Sequence, residues 1–128
     1  MGMNRFTKSS LAVVAVAIAL SACSSSTATP ETLPATVDLE VRAVSGLKFD
    51  KSAYEAIAGD IVVGYVNDDT IQHNLIVAKG ETKVENFALV VYKKNDTDSG
   101  TVNLATGNYT IMCTVPGHQN MKADLTVK

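Results

Sequence analysis

Four side chains in this sequence carry donor atoms suited to a single soft metal ion. Cys113, His118 and Met121 stand within nine residues, CTVPGHQNM, and His73 lies 40 residues upstream in VNDDTIQHNLIV. They include the chain's only two His and one of its two Cys. Thiolate and thioether sulfur favour Cu(I), while imidazole accepts either oxidation state. Two His, one Cys and a weak axial Met are the donor set of a blue-copper electron-transfer centre. A site committed to neither oxidation state's geometry rearranges little when one electron moves. Zinc fits poorly, because Met is a poor zinc ligand.

Such a site needs a scaffold that brings His73 to the Cys113–Met121 loop. Pro116-Gly117 restricts the shape of that loop, and the second His must come from a neighbouring strand. The sequence predicts strands at 37–44, 54–58, 61–67, 73–78, 87–92, 101–104, 108–113 and 123–128, separated by Gly, Asn and Asp. Residues 52–58 also suit a short helical piece. Short strands at this spacing point to an antiparallel sandwich or barrel. Side chains at i, i+2 and i+4 of a strand share a face. His73 therefore points with Leu75 and Val77, Cys113 with Ile111 and Tyr109, and Met121 with Ala123, Leu125 and Val127. All three are aimed at the core near strand ends, with His118 in the loop between two of them.

The amino terminus reads as an address. Arg5 and Lys8 precede ten apolar residues, Leu11–Leu20, too few to span a bilayer and of ordinary signal-peptide length. The run ends in LSAC, which resembles a bacterial lipobox. That resemblance implies cleavage before Cys23 and a diacylglycerol on its thiol. A plain secretory signal or an uncleaved short anchor are the alternatives. Ser24–Thr36, SSSTATPETLPAT, reads as a flexible spacer. The expected organisation is a signal peptide over 1–22, lipidated Cys23 and linker over 23–36, and one domain over 37–128. Lipidation would leave Cys113 as the only thiol in an oxidising compartment, a liability unless it is buried or ligated.

Composition narrows the function. Of 128 residues, 19% are charged and 46% apolar, which excludes a disordered tail. A formal charge of −2 excludes a basic nucleic-acid-binding module. Without Arg5 and Lys8, nine of the eleven basic side chains remain against thirteen acidic ones, a mature charge of −4. Two Cys are too few for a disulfide scaffold or a Cys-rich zinc module.

Beyond the donors, Ala58–Asp60 (AGD), Val66–Val77 (VNDDTIQHNLIV), Thr106–His118 (TGNYTIMCTVPGH) and Met121–Val127 (MKADLTV) resemble the cupredoxins, the family of plastocyanin, amicyanin, pseudoazurin, azurin and auracyanin. The resemblance covers essentially all of residues 37–128. It implies an all-β, Greek-key antiparallel sandwich of about seven to eight strands. It also implies one type 1 copper ion, cycling between Cu(I) and Cu(II), bound by His73, Cys113, His118 and Met121. In such proteins the Asn after the first His often tethers the loop after the Cys, here Asn74 to Thr114. Two residues, Gln119 and Asn120, separate His118 from Met121 where many relatives have four, and Met112 stands where plastocyanin-like chains tend to carry an aromatic. A lone His is usually a surface residue, a lone Cys a buried hydrophobe and a lone Met filler. Here all four fall at family positions with a common inward parity.

The resemblance implies a monomeric electron carrier with no catalytic residue, held by lipid at the extracytoplasmic, periplasmic face. It would serve redox partner proteins through His118, with Val115 and Pro116 as a small apolar docking patch. The alternative function is a periplasmic copper chaperone that delivers copper to an oxidase. A third reading is a metal-free interaction module. Copper nitrite reductase and multicopper oxidases need further His ligands, and a binuclear centre needs a second Cys in the loop; the sequence has neither.

Overall fold

A computed structural model of the chain describes residues 32–128. The expected signal peptide, Cys23 and most of the spacer lie outside the described residues. Ten strands follow in order: β1 (Leu39–Val44), β2 (Lys48–Phe49), β3 (Ala53–Ala56), β4 (Gly59–Asn67), β5 (His73–Lys79), β6 (Thr82–Lys83), β7 (Leu89–Val91), β8 (Thr97–Leu104), β9 (Gly107–Met112) and β10 (Lys122–Val127). No helix occurs among the described residues. The stretch that also suited a helix forms β3, with strict alternation of exposed and buried positions. Two strands escaped the sequence pattern, β2 and β6, because two residues are too few to show a period.

The strands form a four-stranded sheet, β2-β1-β4-β8, and a six-stranded sheet ordered β3-β10-β9-β5-β6, with β7 also paired to β5. Alternation sets which face each strand buries. Leu39, Val41 and Ala43 of β1 and Ile61, Val63 and Tyr65 of β4 point inward from the first sheet. Leu75 and Val77 of β5, Tyr109 and Ile111 of β9, and Ala123, Leu125 and Val127 of β10 meet them from the second. Burying each large aliphatic side chain contributes roughly 1.5–3 kcal/mol.

The sandwich is mixed and not wholly antiparallel as expected. β1 runs parallel to β4, and β3 parallel to β10. The chain crosses between sheets before these partners meet, and period-two alternation says nothing about a partner's direction. The remaining pairings are antiparallel.

Packing reaches back into the stretch expected as spacer. A Cβ at Gly64 would lie 3.0 Å from the Leu33 side chain and 3.1 Å from that of Val37. Gly64 points away from the core, so these two residues cross the outer face of the four-stranded sheet. A side chain at residue 64 would press on both and force them to shift.

Candidate metal centre

Three elements converge at one end of the sandwich. β5 begins at His73, β9 ends at Met112 just before Cys113, and β10 begins just after Met121. The register of β9 and β10 pairs Met112 with Lys122. The Cys113 N–H donates to the Met121 carbonyl at 3.0 Å, which continues the ladder one step beyond both strands. Met121 therefore sits opposite Cys113 with its side chain on the same inward face. The short two-residue spacing after His118 creates this placement, because the loop closes with no slack.

Between these ladder residues the loop makes a type II turn. The His118 N–H donates to the Val115 carbonyl at 3.0 Å, Pro116 occupies the second position and Gly117 the third with φ of +90°. Only glycine holds that dihedral without strain, and proline presets the one before it. The turn projects His118 inward, and the Met121 N–H closes it by donating to the His118 carbonyl at 2.8 Å.

The donor atoms of His73, Cys113 and His118 all lie within 4.8 Å of one another. All three residues are buried: His73 is 0% exposed, Cys113 3% and His118 8%. Met121 is fully buried, whereas Gln119 and Asn120 face solvent. Cys113 Sγ lies 3.5 Å from His118 Nδ1 and accepts from the Asn74 N–H at 3.5 Å. The rings of His73 and His118 stand 4.9 Å apart. Burial holds the His118 imidazole below its ordinary pKa, and nearby His73 pushes the same way. A neutral imidazole is the form that binds a metal.

The buried His73 Nδ1 has no hydrogen-bond partner. A buried polar atom without a partner costs about 1–3 kcal/mol. A soft metal among these donors satisfies it, so the residues present fit copper. The other ring nitrogen, Nε2, lies 3.0 Å from Asp69 Oδ2.

The tether expected after His73 is present on both atoms of the amide. Asn74 Nδ2 donates to Thr114 Oγ1 at 2.9 Å, and the Thr114 N–H donates to Asn74 Oδ1 at 2.7 Å. These bonds span the two ligand-bearing segments and hold Cys113 against β5. Tyr65 reaches across from the other sheet, its hydroxyl donating to the Asn74 carbonyl at 3.3 Å. Burial pushes that phenol well above its ordinary pKa, so it remains a donor.

Asp69 and Asn67 were not singled out from the sequence. Asn67 is fully buried and organises the loop before His73 as an Asx turn. Its Oδ1 accepts from the Asp69 N–H at 2.9 Å, and its Nδ2 donates to the Ile71 carbonyl at 2.8 Å. The signal available was an Asn-Asp-Asp run ending four residues before a His, which reads equally as an ordinary turn.

A family model described as copper-binding proteins of the plastocyanin/azurin family matches residues 35–128. The chain is a cupredoxin of the plastocyanin/azurin family. Copper is the cofactor of that family, and His73, Cys113 and His118, with Met121, form a cluster like a type 1 copper site. Solved structures agree with the cupredoxin fold. Reduced auracyanin from Roseiflexus castenholzii superposes with a TM-score of 0.63 at 21% identity, over 74% of this chain and 99% of its own. Auracyanin A from Chloroflexus aurantiacus, a "blue" copper protein, gives 0.59 at 25% identity, over 70% and 96%. Amicyanin from Paracoccus versutus gives 0.55 at 22% identity, over 75% and 85%. No protein of curated function matches the sequence.

Proposed function

We propose that this cupredoxin is a lipid-anchored, mononuclear blue-copper protein that carries single electrons outside the cytoplasm. His73, Cys113 and His118, with Met121, would hold the copper. The observation that carries this reading is the buried cluster of His73, Cys113 and His118, whose donor atoms lie within 4.8 Å of one another, together with the buried His73 Nδ1 that has no hydrogen-bond partner. Bound copper supplies a one-electron Cu(II)/Cu(I) couple, and the protein supplies a rigid, dry set of donors around it.

The chain's own residues serve a carrier. Asn74 and Thr114 fix the Cys113 segment, and the Pro116-Gly117 turn fixes His118, so the donors need not move when the charge changes. Deep burial of all four donors favours retention of the metal over its delivery to another protein. His118 keeps a small exposed edge beside half-buried Val115 and exposed Pro116, which makes it the electron port and its surroundings the docking patch. A carrier must release its partners, and redox encounter interfaces are typically under about 1,200 Å². The protein works as a monomer and catalyses nothing by itself. Its partners are membrane-bound or periplasmic redox proteins. The domain, over residues 37–128, is held by a diacylglycerol on Cys23 after removal of residues 1–22.

The direct test is the visible spectrum and voltammogram of the mature protein after Cu(II) is added. An intense band with a reversible one-electron wave is expected. Copper that binds but leaves on reduction would favour delivery instead. For the anchor, mass spectrometry of the wild type and Cys23→Ser should show lipid lost and the precursor unprocessed in the variant; an unmodified terminus elsewhere in the wild type would refute lipidation.

A further inference from the structure

The buried carboxylate beneath His73 has a role beyond shaping a turn. Asp69 is buried, and its Oδ2 sits 3.0 Å from Nε2 of a His that is itself wholly enclosed. An ionised carboxylate only accepts hydrogen bonds, so Nε2 carries the proton and Nδ1 presents its lone pair. Nδ1 is the buried atom left without a hydrogen-bond partner, on a ring that clusters with Cys113 and His118.

The carboxylate is itself held in place. Its Oδ1 accepts from the Thr70 N–H at 2.7 Å and from Ser45 Oγ at 3.5 Å. The preceding loop is pinned to β1: the Asp68 N–H donates to the Ala43 carbonyl at 2.8 Å, and Arg42 grips both Asp68 oxygens. Asp69 is thus aimed at His73 by a frame that involves no other donor residue.

We infer that Asp69 is a positioning residue that locks the His73 tautomer and, by making the imidazole a stronger donor, biases bound copper toward Cu(II). This rests on the reading that His73 holds copper. A carboxylate behind a ligating imidazole orients the ring and raises its basicity, and losing such a partner typically costs about 10–100-fold in metal affinity. The cupric ion gains more from a stronger nitrogen donor than the softer cuprous ion does.

Asp69→Asn tests this with little change of shape. An amide facing Nε2–H and the Thr70 N–H together must turn its NH2 toward one of them, so one donor meets a donor. Asp68→Asn is the control, removing the same charge one residue away from a side chain that touches Arg42 and not His73. Long-range 15N NMR of the metal-free wild type should show His73 with its proton on Nε2, and Asp69→Asn should lose that single tautomer. In copper-loaded protein, Asp69→Asn should move the Cu(II)/Cu(I) equilibrium at least about tenfold toward Cu(I), a rise of about 59 mV. Asp68→Asn should leave both readouts near wild type. The inference fails if the wild-type proton sits on Nδ1, if Asp69→Asn changes neither readout, or if Asp68→Asn shifts the potential equally. A wild type that never binds copper would sink the copper reading, and the tautomer result would still judge the lock.

Discussion

Between the sheets, the enclosed side chains are aliphatic and aromatic: Val41, Ile61, Leu75, Ile111 and Leu125 meet without a directional bond among them. At the metal end, the buried polar side chains of the described residues gather: Asn67, Asp69, His73 and His118. Apolar burial is non-directional and scales with area. It holds the sheets together but leaves side-chain orientation to packing. Hydrogen bonds are directional, and a buried group left without one is costly. The metal end therefore spends its polar groups on aiming rings and a thiol. The two regions should respond differently to mutation, one in stability and the other in the properties of the metal.

The largest expected effect tests the metal end alone. Cys113→Ala removes the thiolate and should abolish the intense visible band altogether, while circular dichroism still shows a folded sandwich. A band that survives would take Cys113 out of the site. Next comes the core. Leu125→Ala should destabilise the protein by about 2–5 kcal/mol in denaturant unfolding, the usual range for an enclosed Leu. The potential of the folded protein should not change. A potential that moves with Leu125 would break the division between the two regions.

Smaller in energy is the axial position. Met121→Leu should raise the reduction potential, because it removes a weak donor that stabilises Cu(II) more than Cu(I), and Met121→Gln should lower it, because a harder amide oxygen stabilises Cu(II) more strongly. Each shift should be at least about 59 mV, tenfold in the equilibrium constant, or roughly 1.4 kcal/mol. Gln119 is solvent-facing, so Gln119→Leu should leave the voltammogram where it was; a shift seen only in that variant would reassign the axial ligand. The smallest effect sits on the border between the regions. Tyr65→Phe removes one hydrogen bond to the Asn74 carbonyl and should cost about 0.5–1.5 kcal/mol, with little change in potential. A large change would mean that the core also tunes the metal.

Much of this division was legible in the sequence. Period-two parity aimed His73, Cys113 and Met121 inward, since a core-facing residue at a strand end keeps the parity of its strand. The Pro116-Gly117 pair announced a turn before His118. Hidden instead were features that depend on chain-distant approach. Asp69 reaches His73 through a loop whose shape is set by Asn67, and Asn-Asp-Asp alone marks only a turn. The two parallel pairings were invisible because alternation carries no partner direction. Leu33 over Gly64 was hidden because a glycine in a strand does not say what lies on it.

The pairing of β3 with β10 has a consequence for how the molecule comes into being. β3 is the edge strand of its sheet, and its neighbour is the last of the described strands. Pairings so distant in sequence form late, since a long loop must close before they contribute. During folding β3 therefore stays unpaired until β10 forms and docks beside it. The loop that carries Cys113, His118 and Met121 immediately precedes that last strand. The thiol is therefore enclosed only when β10 docks, and until then Cys113 stands open to oxidants and to copper alike.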